Sequence, residues 1–199
     1  MATLTDIVNL TVSQTRRPEI NAVTEAAVRS ATLRAHHVDF FPRDLTSHIL
    51  QATPNSPGVV NIQNISSLLT RLRSVKSVRI LDPNLIPAIQ LEYRDLDDLY
   101  TRDGNHRPHV YTLLGDTLRL FSHSTQNHIE IFFYQNPNLT GLQYSSWIAT
   151  LYPDEIAAWA ATIVFARTGF AEMANQFNQL YVVPFQQLLV ASHLLGNVS

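Results

Sequence analysis

The chain has 199 residues, enough for one domain with a proper core or one domain carrying a large insertion. Its 14 basic and 16 acidic residues leave a formal charge of −2, so composition offers neither a strongly basic surface for nucleic acid nor an acidic tail. The absence of cysteine excludes disulfides and thiolate metal sites and fits a protein made in a reducing cytoplasm.

The opening MATLTDIVNL has no basic region, and Asp6 interrupts its apolar run, so no signal peptide is expected. No stretch approaches the ~18 uninterrupted apolar residues of a membrane span. The first zone, roughly 3–38, reads as helical. Thr3 with Asp6 has the form of an N-cap with an acidic N3 residue, opening a short helix that ends before Arg16. Pro18 and Glu19 start a second helix running through Ala35, with an inner stripe of Ile20, Val23, Ala27, Ala31 and Arg34. The HHVDFFPRD segment closes it, because Pro42 forces Phe41 extended.

The second zone, about 44–134, is rich in strand signals. The ATPNSPG segment, 52–58, is a loop. Val59 to Ile62, Val75 to Leu81 and Ile89 to Tyr93 read as strands, and DLDDLY as a helical turn. From His109 to Phe121 a hairpin is expected about a two-residue primed turn at Gly115-Asp116. That turn sets Leu113 opposite Leu118, Tyr111 opposite Leu120, Thr112 opposite Arg119 and Leu114 opposite Thr117. His128 to Tyr134 is a third strand with Ile129, Ile131 and Phe133 on one face, and together these make a small antiparallel sheet.

The third zone, 146–195, is helical again. Pro153-Asp154-Glu155 is a helix start, and Ile156 to Ala166 carries no charge on any face, so this helix is surrounded by protein. Gly169 ends it as a C′ residue, and Pro184 must break or kink the helix that follows. From Thr168 to Ser199 the only formal charge is Glu172, where average composition calls for about eight. A helical tail with an uncharged polar face is cheaper to bury against protein than a charged one, which points to contact with other subunits.

The run RPHVYTLLGDTLRLF, then NHIEIFFYQNPNLT, then SSWIATLYPDEIAAWAATIVFARTG resembles the head-to-tail adaptor (connector) proteins of tailed bacteriophages. The elements that carry the resemblance are Pro108, Tyr111, Gly115, Asp116, Leu118 and Leu120 in the hairpin. Phe133, Tyr134 and Pro137 follow at the end of the third strand, and then Trp147, Tyr152 and Pro153. It covers Ile89 to about Gln179, and it rests on order and spacing, since the individual residues are common ones. The family often has a proline after the second hairpin strand, where this chain has SHSTQN, and residues 1–88 match only loosely. The resemblance implies a single, mainly α domain over 1–199: a helical bundle (3–38 and 146–195) with the β-rich insertion and its small sheet. It implies a virion protein, made in the host bacterial cytoplasm and placed at the head–tail junction. There it would form a ring, dodecameric in the family, with portal protein on one side and a tail or nozzle protein on the other. Duplex DNA would pass through without sequence-specific contact, and no membrane is involved. A different head-completion or tail-terminator protein, or an enzyme with an unrecognised site, are the alternatives.

No catalytic residue, cofactor or metal is expected. HExxH, phosphate-binding glycine loops and GxSxG are absent, and six glycines leave little material for a nucleotide cradle. Adjacent His36 and His37 point to different helix faces. His123 and His128, with Asp116 or Glu130, are the nearest approach to a zinc set, and a polar connection is the plainer account. Asp95, Asp97, Asp98 and Asp103 lack EF-hand spacing and read as a solvated turn. Thirteen of the 14 basic residues are Arg, the type favoured at interfaces, although a biased genome gives the same composition. Arg16-Arg17 form one basic group. Arg71, Arg73, Lys76 and Arg79 form another, open to phosphate contact, a subunit interface or a solvated strand face. The interface candidates are Arg71, Arg73, Arg79, Phe170, Phe177, Phe185, Leu188, Leu189 and Leu195.

Overall fold

The computed structural model of the chain describes residues 2–51, 60–82, 84–98, 109–121, 128–140 and 143–196. The elements in chain order begin with α1 (Leu4–Thr15), α2 (Asn21–His36), β1 (Leu45–Gln51), β2 (Val60–Asn64), α3 (Ser66–Leu69), β3 (Leu72–Leu81) and β4 (Pro87–Tyr93). There follow β5 (Val110–Leu114), β6 (Thr117–Phe121), β7 (His128–Gln135), α4 (Trp147–Leu151), α5 (Pro153–Arg167), α6 (Ala171–Phe177) and α7 (Val183–Gly196). They form two compact units, one of residues 1–44 with 136–199 and one of residues 45–135.

In the helical unit the caps set the boundaries. Thr3 and Asp6 form a reciprocal capping box, and α1 stops where Arg16 turns left-handed at φ 54°. The turn Pro18–Ile20 is 3₁₀ and leads into α2. The buried face of α2 is Thr24, Ala27, Val28, Ala31, Thr32, Ala35 and His36, whereas Arg34 is exposed and Val23 half-buried. The expected stripe is therefore rotated by about one residue. Threonine makes this possible, because Thr24 and Thr32 donate their hydroxyls to the carbonyls of Ile20 and Val28 at 3.2 and 2.8 Å.

Proline opens α5, two acids follow in its first turn, and Ile156 to Ala161 and Ile163 to Phe165 are all buried. It packs on α1, α2 and α6, its alanines allowing close approach on several sides at once. Gly169, at φ 86°, ends it, and the Phe170 amide reaches back to the Phe165 carbonyl at 2.9 Å. Pro184 lacks an amide hydrogen, and the helix before it widens into a π turn over Asn178–Val182, where the Val183 amide reaches Asn178. The expected break is thus a local change of helix pitch.

The second unit is a seven-stranded sheet in the order β1-β7-β3-β4-β5-β6-β2. All pairs are antiparallel except β4–β5. Its core is Ile65, Val78, Ile80, Leu91, Tyr111, Leu118, Leu120, Ile129, Ile131 and Phe133 with neighbours from the same face. The hairpin has the expected register, Leu113 opposite Leu118 and Tyr111 opposite Leu120. Gly115 alone of the two turn residues has positive φ, 58°, as a type II′ turn requires.

The expectation of a mainly α helical bundle with a small antiparallel sheet is overturned. The sheet is large, mixed and curled into a half-barrel, with its own core. Two features account for the difference. Strand β1, LTSHILQ, alternates too weakly to be read as a strand. The hairpin is joined to the rest through a parallel pair, Glu92 with Val110 and Tyr93 with Tyr111, so β7 lies beside β1 and β3 and not beside the hairpin.

Two outcomes follow. Leu118 is fully buried and Thr117 is at the rim, so Leu118→Ala should cost about 2–5 kcal/mol in chemical denaturation. Thr117→Ala should stay within about 1 kcal/mol; equal costs would contradict the register. Backbone and hydroxyl hydrogen bonds from Thr3 hold the Asp6 carboxyl below its ordinary 3.8. A depressed carboxyl stabilises the fold above its unfolded value and ceases to do so as pH falls through its folded one. Wild type should therefore melt above Asp6→Asn at neutral pH, and the gap should close below about pH 4.

Candidate functional site

Within the helical unit, the chain leaves after Asp44 and returns at Asn136, and a buried hydrogen-bond clasp lies at this crossing. The His36 Nδ1–H is shared by both Asp44 carboxylate oxygens at 2.9 Å, and Nε2 lies 2.9 Å from Ser146 Oγ. The Trp147 indole N–H donates to Asp44 Oδ1 at 2.8 Å. Ser146 Oγ also accepts the Ala149 amide at 3.1 Å, as the N-cap of α4. With Ser146 O–H donating to Nε2, each of these polar groups is satisfied, the condition under which a buried network is stable.

One turn earlier on α2, Thr32 Oγ1 meets Tyr144 Oη at 2.7 Å. The spacing matches: two residues of extended chain, Tyr144 to Ser146, advance about 6.6 Å, and four residues of helix, Thr32 to His36, about 6 Å. Burial raises the Tyr144 phenol above its usual pKa, and the Thr32 hydrogen bond opposes that shift. His37, the C-cap residue of α2, reaches Asn136 Oδ1 at 2.7 Å. Trp147 packs edge-on to His36 and Phe41, with the Arg43 guanidinium 5.2 Å from its ring centroid.

Asp44–His36–Ser146 has the connectivity of a hydrolase triad. Its surroundings are those of a structural network. His36 and Ser146 are buried, and the hydroxyl is engaged by the α4 amide. A depression of about 300 Å³ beside Trp147 is lined by Phe41, Arg43, Leu151 and Tyr152, and neither Ser146 nor His36 contributes to it.

Among the described residues no group of three or more His, Asp or Glu could hold a metal ion, and no helix is long and apolar enough to cross a membrane. His123 and Asp103 lie outside the described residues. Arg16 is the left-handed cap of α1, and Arg17 stacks 4.3 Å over the Phe170 ring. Arg71 sits in the turn before β3 and Arg73 within β3. Arg79 and Lys76, also on β3, lie over Phe132 and Tyr134 of β7 at 4.8 and 6.0 Å, so this basic group is partly absorbed by its own sheet.

The C-terminal candidates divide. Phe185 and Leu189 are buried in the helical core, Phe185 against Tyr152 and Trp159, so they are not surface groups. Phe177 is half-buried on Phe165. The Leu195 side chain lies outside the described residues. Phe170 and Leu188 are exposed, and the burial pattern adds three residues that were not among the interface candidates: Met173 and Leu180, which recur at helical spacing in the same tail, and Tyr181. Leu180 is 66% exposed and Leu188 46%, on an outer stripe that includes Gln176, Pro184, Gln187 and Ala191 and carries no charge after Glu172 in the first turn of α6.

No protein-family model matches the chain, and no curated protein matches it.

Asp44→Ala would leave the His36 and Trp147 donors without their acceptor, and should cost about 2–6 kcal/mol. Ser146→Ala removes a helix cap and should cost about 1–2 kcal/mol. Urea titration followed by tryptophan fluorescence measures both; a near-neutral Asp44→Ala would contradict the clasp.

Proposed function

We propose that the chain is a structural, non-enzymatic subunit of the head–tail junction of a tailed phage, assembling as a ring on the portal. The ring continues the DNA channel and presents a docking surface to the tail. The observation that carries this reading is the outer stripe of the π turn and α7, which carries no charge after Glu172 in the first turn of α6. A monomer gains nothing by exposing Leu180 and Leu188 on a helix stripped of charge, whereas a subunit buries such a face without stranding ions. The order of hairpin, aromatic strand end, tryptophan and Tyr152-Pro153 supports the adaptor assignment within virion proteins.

The test is mixing the purified chain with portal rings encoded in the same genome and viewing the product by negative-stain microscopy. An added layer of density on the portal is expected. Leu180→Glu with Leu188→Glu changes two exposed positions, so the fold should lose less than about 1 kcal/mol. The double variant should nevertheless fail to add that layer. Absence of binding by wild type, or equal binding by the double variant, would contradict the reading.

A further inference from the structure

The turn between β3 and β4 is braced by its own hydrogen bonds and holds a leucine where its geometry favours glycine or asparagine. The Asp82 amide donates to the Ile86 carbonyl at 2.9 Å, and the Leu85 amide to the Asp82 carbonyl at 3.0 Å. Asp82 Oδ1 accepts the Asn84 and Ile86 amides, each at 2.8 Å. Within that frame Leu85 has φ 62°, a left-handed conformation that bulky side chains rarely adopt. Leu85 and Ile86 are 49% and 59% exposed, so neither side chain is placed there to fill a core. Backbone strain that holds apolar side chains out into solvent on a rigid turn is what a preorganised anchor requires.

The helical unit carries a receptacle of matching chemistry. Trp147, Leu151 and Tyr152 line the depression of about 300 Å³, and Leu151 is exposed within it. Arg43, also exposed there, lies against the Trp147 ring and makes no ion pair among the described residues. The turn carries the opposite charge in Asp82, which is half-buried and likewise without an ion pair among the described residues. We propose that Leu85 and Ile86 of one copy seat in the Trp147 depression of a second copy, with the Asp82 carboxylate set toward the Arg43 guanidinium. Two aliphatic side chains flanked by a carboxylate meet an aromatic hollow flanked by a guanidinium, so a single chain supplies both halves of the contact. Because the two halves are different patches, the contact is heterologous and repeats from copy to copy until the rotation closes. The inference rests on the ring reading above and names the contact between its subunits.

The chain has no cysteine, so single cysteines introduced into the full-length protein report contacts between copies without background. Ile86→Cys and Ser192→Cys change two exposed positions, the second on the wall of the depression. The two variants are mixed in equal amounts, assembled on portal rings and treated with a short bis-maleimide. A crosslinked pair of chains is expected from the mixture and from neither variant alone. Leu85→Asn with Ile86→Thr is the second arm. Asparagine accepts the left-handed backbone, so this double variant should melt at or above the wild-type temperature and yet lose ring formation. Rings in which the mixture gives no crosslink, rings crosslinked by Ile86→Cys alone, or rings formed by the double variant would overturn this contact and leave the ring reading intact. A wild type that adds no ring to portal would overturn the ring reading and this inference together.

Discussion

The helical unit is built from two pieces of chain separated by the whole of Leu45–Gln135, and its integrity depends on holding those pieces together where they meet. Closing a flexible loop of that length would cost about 4 kcal/mol in chain entropy, before any constant term. Two devices offset it. Inside the sheet unit, β1 and β7 are antiparallel, with Leu45 opposite Tyr134, so the inserted chain ends beside where it began. Inside the helical unit, Asp44, the last residue before the insertion, accepts from both His36 and Trp147, while Ser146 and Tyr144 engage α2 at adjacent turns. A carboxylate buried this deeply is tolerable only because donors from two elements converge on it.

From that fixed point the helical unit divides its apolar residues between inside and outside. Helix α5 is enclosed by α1, α2 and α6, and α7 contributes Val182's neighbour Phe185 and Leu189 to the same core. Docked in this way, the C-terminal helix is ordered by the chain itself, and only its outer stripe is left for a partner. The sheet unit shows the same economy of charge, with ionic groups on its inner strands and none on the two outer ones.

Local signals in the sequence were legible where short-range chemistry decides the outcome. The Thr3–Asp6 box, the Gly169 termination and the Leu118 and Leu120 register each depend on neighbours within a few residues, and each is found as read. The clasp was not legible. Ser146 falls at the start of the zone read as helical from 146, but its partner His36 lies 110 positions away and Trp147 is 103 from Asp44. Strand β1 and the parallel β4–β5 pair were missed for the same reason, since their register is set by distant strands. The buried face of α2 was misplaced because threonine hydroxyls satisfied by their own helix behave as small apolar groups. Phe185 and Leu189 were read as docking residues because periodicity gives a stripe's existence and not what covers it.

The central claim is that the uncharged outer stripe of the C-terminal helices is covered by protein in the working particle. Hydroxyl-radical footprinting of the free chain and of the assembled particle addresses it directly, because Met173, Leu180, Tyr181 and Leu188 are oxidisable and exposed. The account predicts strong labelling of all four in the free chain and protection of Leu180 and Leu188 in the particle. Unchanged labelling of that pair after assembly would contradict it.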